Sequence, residues 1–185
     1  RSGRRDSNVI VIVDEAHNLP GRIMDNCSAS IFQGDIEAAI RLRPLQRFRE
    51  DLEVLKRVIQ YLSSKTGNCL RPEDIDDPLK MNCGVDTGGL AEELTEAVGE
   101  GGSHQIRNLL HFLDVWNQFG EASVRISDTK ARRVSCRMLD PSLLSRQLFQ
   151  RIRGAILMSG TFHPPEMFAD ILGLDRCLCR RYPSP

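Results

Sequence analysis

The chain has 185 residues, enough for one domain or two small ones, and 41% of them are hydrophobic, enough for a folded core. Lys plus Arg equals Asp plus Glu at 25 each, so net charge selects no partner, and any nucleic-acid surface must come from local clustering. The longest apolar runs, Val9–Val13 and Ala155–Met158, are too short for a helical membrane span, and no membrane partner is expected.

Val9-Ile10-Val11-Ile12-Val13 is an unbroken β-branched run. It predicts a strand buried on both faces, as in a parallel sheet of an α/β domain. Asp14 and Glu15 follow at its carboxyl end, where open α/β sheets place their chemistry. With Ala16 and His17 they spell D-E-A-H, a form of the Walker B motif. An aspartate in this position holds Mg²⁺ in P-loop NTPases. The next carboxylate can orient and polarise the attacking water, and the histidine can relay the state of the phosphate site to a neighbouring segment. The plainer reading is a strand end whose acids pair with nearby Lys or Arg; the apolar strand directly before the motif favours the nucleotide site. No G-x-x-x-x-G-K-S/T occurs in the chain, so the cradle for the phosphates is missing. The text opens without an initiator Met and closes in mid-phrase, so the expectation is an internal piece of a larger enzyme that carries half an ATP site.

The next region reads as mostly helical. A short helix is expected through Ile36, Ala39 and Ile40. Leu45, Phe48, Leu52, Leu55, Ile59 and Leu62 recur at spacings of three and four, one stripe of a long helix with Pro44 in its first turn and Gly67 past its end. The text from Gly67 to Gly89 predicts a long loop with at most one short helix after Pro72. A further helix runs from Leu90 through Leu94 to Val98. Ser103 then reads as the N-cap of a last helix with Ile106, Leu109, Leu110, Leu113 and Trp116 on its buried face. Trp116 and Phe119 sit at core spacing, which favours packing over base stacking.

Strand-like text returns at Val124–Ser127 and Arg133–Met138. A helix follows Asp140-Pro141-Ser142, then a second buried strand, Ala155–Met158, ending in Ser159-Gly160-Thr161. An amphipathic helix through Met167, Phe168, Ile171 and Leu172 closes on Gly173 as its C-cap. Two buried strands that end in polar residues thus flank about a hundred helical residues. The economical architecture is one parallel-sheet α/β domain with a large, mainly helical insertion. The boundaries expected are 1–21 for the first strand and its loop, 22–123 for the insertion, 124–174 for the return, and 175–185 for the start of a linker.

Arg41, Arg43, Arg47 and Arg49 cluster, with Lys56 and Arg57 further along. Such a strip could track a phosphate backbone. A solvated helix face interleaved with Glu50, Asp51 and Glu53 is the somewhat favoured alternative. The six cysteines form no C-x-x-C pair, and Cys177-x-Cys179 is the closest spacing. Free thiols in a reducing cytoplasm are favoured over disulfides or zinc. His104, His111 and His163 show no metal spacing.

Taken together, the motifs resemble the XPD family of superfamily 2 DNA helicases, above all its archaeal members. The matching text is Val11-Ile12-Val13-Asp14-Glu15-Ala16-His17-Asn18-Leu19-Pro20, then a helical insertion of suitable length, Leu139-Asp140-Pro141-Ser142, and Ile156-Leu157-Met158-Ser159-Gly160-Thr161. Phe168-Ala169-Asp170-Ile171-Leu172-Gly173-Leu174 resembles the stretch after motif III, and Tyr182-Pro183-Ser184-Pro185 the element that opens the second motor domain. The resemblance implies a RecA-like motor portion carrying an arch domain, translocation 5′ to 3′ on single-stranded DNA, and ATP with Mg²⁺ as cofactors. Asp14 would hold the Mg²⁺ of bound ATP, and Glu15 would activate the hydrolytic water. His17 would couple to motif III, whose Ser159, Gly160 and Thr161 would link ATP state to the grip on DNA. A 4Fe–4S cluster belongs to the parent, with its cysteines upstream of the DEAH box, so none of these six would ligate it. Repair proteins would be partners on the arch. The cell compartment would be cytoplasmic in an archaeal or bacterial setting, or nuclear in a eukaryotic one. Neighbouring readings are a DinG-like or RNA helicase motor, which the long insertion after DEAH disfavours in the RNA case, and a non-enzymatic docking module.

Overall fold

The computed structural model describes residues 8–65, 69–99, 104–162 and 164–182. Ser103, Gly67, His163 and Pro183-Ser184-Pro185, to which the sequence reading gave roles, lie outside them. In chain order the elements are β1 (Ile10–Val13), a 3-10 turn (Ala16–Asn18), α1 (Leu19–Asn26), β2 (Ala29–Phe32), α2 (Gln33–Ile40), a 3-10 stretch (Arg43–Phe48), α3 (Arg49–Ser64) and β3 (Cys69–Leu70). These are followed by α4 (Glu73–Cys83), α5 (Thr87–Val98), α6 (His104–Gln118), a 3-10 turn (Gly120–Ala122), β4 (Ser123–Asp128), β5 (Arg133–Met138), α7 (Ser142–Arg151), β6 (Gly154–Leu157) and α8 (Pro165–Ile171).

The chain forms two units. The first takes residues 1–26 and 139–185, and the second takes 27–138. In the first, β1 and β6 pair in parallel, Ile10 opposite Gly154 through Val13 opposite Leu157. A parallel pair needs a long crossover, and here the whole second unit lies in the chain between the two strands. β1 was expected to be buried on both faces, yet Ile10, Ile12 and Ile156 are 61%, 64% and 51% exposed. The sheet has two strands among the described residues, too few to cover both faces. The buried Ser145 hydroxyl on α7 meets the Leu172 carbonyl at 2.7 Å and ties α7 to the end of α8. There the chain turns at Gly173 (φ 62°). The C-cap reading of Gly173 holds: its N–H donates to the Asp170 carbonyl, and Leu174 N–H to the Ala169 carbonyl.

The second unit packs helices on an antiparallel sheet of order β2-β5-β4-β3. β5 is central, with Ala29 opposite Cys136 on one side and Arg125 opposite Cys136 on the other. Ile31, Val134 and Cys136 of the sheet join Leu52, Leu55, Phe112 and Trp116 of α3 and α6 in one core. The sequence reading ended the insertion at residue 123. β4 and β5 instead belong to this unit, because β5 hydrogen-bonds to β2 and β4.

Two other expectations change. The single helix read through Leu45–Leu62 is broken: Arg43–Phe48 is 3-10 and α3 starts at Arg49. All six stripe residues are nevertheless buried. The loop read between Gly67 and Gly89 holds a short strand, all of α4 and the start of α5. Pro78 stands inside α4, which costs about 3 kcal/mol in an isolated helix. Ile75 and Leu79, four apart and fully buried, supply the packing that overrides it. Between α4 and α5, Gly84 adopts φ 79° and the Asp86 carboxylate accepts from Gly89 N–H as N-cap.

Candidate active site

Parallel pairing brings the carboxyl ends of β1 and β6 side by side. The ladder continues past both strands: Met158 N–H donates to the Val13 carbonyl at 2.9 Å, and Ala16 N–H to the Met158 carbonyl at 2.9 Å. Residues 14–17 and 159–161 are thereby held against each other. Glu15 bends the chain between them with φ 49° and ψ 41°, the left-handed region. That conformation is uncommon for a residue with a Cβ and costs of order 1–2 kcal/mol. Such strain clusters at functional positions. Asp14 Oδ1 accepts the Glu15 N–H at 2.9 Å, and Asn18 N–H donates to the Glu15 carbonyl to begin the 3-10 turn.

His17 joins the two loops. Its Nδ1 lies 3.1 Å from Glu15 Oε2 and 2.9 Å from Ser159 Oγ. A carboxylate offers only lone pairs, so Nδ1 carries the hydrogen when it faces Glu15. That hydrogen is shared with Ser159 Oγ, leaving the serine proton for Thr161 Oγ1 at 3.2 Å. Thr161 N–H returns a bond to Ser159 Oγ at 3.1 Å. The result is a polar chain from Glu15 through His17 and Ser159 to Thr161. Gly160 sits within it, but nothing lies within 4 Å of where its Cβ would stand, so packing does not impose glycine there.

Asp14 is exposed at the rim of a cavity of about 1750 Å³ that Ser159 and Gly160 also line. No group of three or more His, Cys, Asp or Glu able to hold a metal exists among the described residues. Mg²⁺ in nucleotide sites is held through one or two carboxylates, waters and the phosphates, so a lone open carboxylate at a strand end fits it. The same cavity is lined by Arg146, Arg153, Arg176, Arg180 and Arg181, which the sequence reading passed over. The only signal for them was their density in the last forty or so residues.

The arginine strip belongs to the second unit. Arg41, Arg43, Arg47 and Arg49 are exposed, and the Arg47 guanidinium lies 4.6 Å from the Phe48 ring centre. Lys56 Nζ is 2.6 Å from Glu53 Oε2, and Arg57 Nε donates to the Glu53 carbonyl at 3.3 Å. The Lys56 hydrogen bond and nearby cations hold the Glu53 carboxyl below its ordinary value. The two ends of the strip therefore differ: Lys56 and Arg57 bond to Glu53, while the four upstream arginines are exposed and Arg47 lies over Phe48. Trp116 is fully buried, its indole N–H donating to the Pro72 carbonyl at 3.2 Å and its ring tilted against Phe112. The packing reading of Trp116 holds. Sequence reasoning also missed a buried polar knot: Asp76 Oδ1 accepts from Thr87 N–H and Thr87 Oγ1, and Asp76 Oδ2 from Asn117 Nδ2.

No family model and no curated protein matches the sequence. Solved structures do. A chain described as XPD_APO aligns with a TM-score of 0.55 and 19% identity, covering 90% of this chain and 33% of its own. A chain described as XPD_Helicase aligns at 0.51 and 17%, covering 90% of this chain and 30% of its own. The chain thus spans about a third of the length of the solved chains it resembles. What these likenesses establish is that the chain has an XPD-like fold, an α/β portion carrying a large, mainly helical insertion.

Proposed function

We propose that this chain carries one side of the ATP-hydrolysis site of a DNA helicase that moves 5′ to 3′ on single-stranded DNA in repair. The observation that supports the reading most is the chain Glu15–His17–Ser159–Thr161, built on two parallel strand ends next to the exposed Asp14. Asp14 is the residue that would hold Mg²⁺. The ion would supply charge neutralisation of the ATP phosphates during phosphoryl transfer. Glu15 orients and polarises the attacking water. His17 holds Glu15 in place and passes its position to Ser159, so the state of the phosphate site reaches the loop after β6. Two arrangements of that loop would then favour different grips on DNA. The exposed Arg41, Arg43, Arg47 and Arg49 are the residues we assign to phosphate contact, and the second unit is the arch, open to repair-protein partners. These 185 residues hold no phosphate loop, so turnover belongs to a protein that joins them to one.

The test is ATP turnover by the intact parent protein, wild type against Glu15→Gln, with and without single-stranded DNA. DNA-stimulated turnover that collapses in the variant supports the reading. Stimulation by RNA alone would move the motor to the RNA-helicase class, which the long insertion disfavours. No turnover in either protein would leave the second unit as a docking module and overturn the proposal.

A further inference from the structure

The Sγ atoms of Cys177 and Cys179 lie 3.9 Å apart. Both belong to the irregular segment after α8, two residues apart. Both line the cavity that Asp14 and Ser159 also line, as does Leu178 between them, which is 78% exposed. Cys177 is exposed and Cys179 half-buried. The other thiols differ in setting. Cys27 and Cys136 are buried, and burial pushes both up; Cys83 is pushed up to about 11, by burial first and then by Asp51. Cys69 is exposed but belongs to the other unit.

We propose that Cys177 and Cys179 form a redox-active dithiol that a low-molecular-weight disulfide, such as oxidised glutathione, converts to an intrachain disulfide. Cys177, the more exposed sulfur, attacks as thiolate on one sulfur of the oxidant. The oxidant's S–S bond breaks, and the small thiolate that leaves takes the electron pair and then a proton. Cys179 yields its proton to solvent and attacks Cys177 Sγ in the mixed disulfide, expelling the second small thiol. Two protein thiols become one disulfide, and one small disulfide becomes two thiols. The sulfurs need only close from 3.9 Å to the bonded distance of about 2.05 Å. Cys179, the half-buried sulfur, is the less accessible to an external oxidant, which assigns it the second step; burial, the hydrogen bond with Cys177 and the Glu166 carboxylate push its thiol up. A ring this short is strained, and strained, exposed disulfides are the readily reversed ones. Ring closure would tie down part of the wall of the cavity that Asp14 also lines.

The experiment treats the reduced, native protein with excess oxidised glutathione and maps the products by mass spectrometry. The expected wild-type product is a peptide holding both cysteines that has lost two hydrogens and retains no glutathione, restored by excess reduced glutathione. In Cys179→Ser a glutathione adduct should accumulate on Cys177. In Cys177→Ser, Cys179 should react at least about tenfold more slowly than Cys177 does in Cys179→Ser. Glutathione retained on both sulfurs of the wild type, or modification of Cys69 with none at this pair, overturns the proposal.

Discussion

His17 Nδ1 and Ser159 Oγ stand 2.9 Å apart across 142 residues of chain. The contact exists because β1 and β6 are neighbours in the sheet, and with the His17–Glu15 contact it links Glu15 to the loop after β6. If the pair acts as one device, its two ends are not independent. His17→Ala and Ser159→Ala should each reduce DNA-stimulated ATP turnover by about tenfold. The double variant should be no worse than the worse single. Additive losses in steady-state turnover would separate the two residues.

Glu15 has a backbone that glycine adopts freely. Comparing Glu15→Gly with Glu15→Ala isolates that strain, since both lose the carboxylate. The glycine variant should be more stable than the alanine variant by about 1 kcal/mol, the left-handed cost of a Cβ less the chain entropy of glycine. Both should lose turnover by about a hundredfold or more if Glu15 acts on the water. Equal denaturant midpoints for the two variants would remove the strain argument.

At Gly173 two effects add. Its φ is 62°, and a Cβ there would come within 2.5 Å of Arg146 Nε and 2.9 Å of Ser142 Cβ. Gly173→Ala should cost about 2 kcal/mol or more. Gly160→Ala, with open space around it, should cost a few tenths. Thermal unfolding of the two variants side by side checks this.

The Asp76 knot joins α4 to α5 and α6. Asp76→Ala would leave the Thr87 N–H and hydroxyl without their acceptor and Asn117 with only Thr87 Oγ1, and should destabilise the second unit by about 3 kcal/mol. Asp76→Asn keeps one acceptor and should cost less. Urea unfolding of both reads the difference.

Acid should weaken the second unit through Asp86. The Gly89 N–H at the α5 N-cap, with Lys80 beside it, holds this carboxyl below its ordinary value of 3.8. A lowered group contributes stability that is present above its unfolded value and lost as pH falls through the folded one. Asp86→Ala should cost about 1 kcal/mol at neutral pH. The loss should shrink as pH drops below 3.8. Denaturant titrations at several pH values would show a constant difference if the cap were not ionic.

Much of this was legible in the chain. β-branched text and alternation located four of the six strands, β1, β4, β5 and β6, because local pattern and tertiary pairing agree there, while the four-residue β2 and two-residue β3 were too short to show. The DEAH and S-G-T loops were named from text alone, and their coupling through His17 came only from the family resemblance, since a pairing 142 residues apart leaves no local trace. The length of α4, read at most as one short helix after Pro72, was obscured by Pro78, whose cost in an isolated helix is offset by tertiary contacts such as burial of Ile75 and Leu79. The end of the second unit was misplaced because β5 reads the same whichever sheet it joins. The exposure of Ile10 and Ile12 follows from strand count, which no single apolar run reveals.

The second unit's first and last strands are paired: Ala29 opposes Cys136, and Met138 N–H donates to Ser28 Oγ at 3.1 Å. Its entry and exit therefore lie about one strand spacing apart, roughly 5 Å. A host chain need open no wider gap than that to accept the unit, and removing it would leave ends that a very short turn could rejoin. In evolutionary terms this is the geometry of a graft, in which a module can be gained, lost or exchanged with little disturbance to the α1–α7 connection it interrupts.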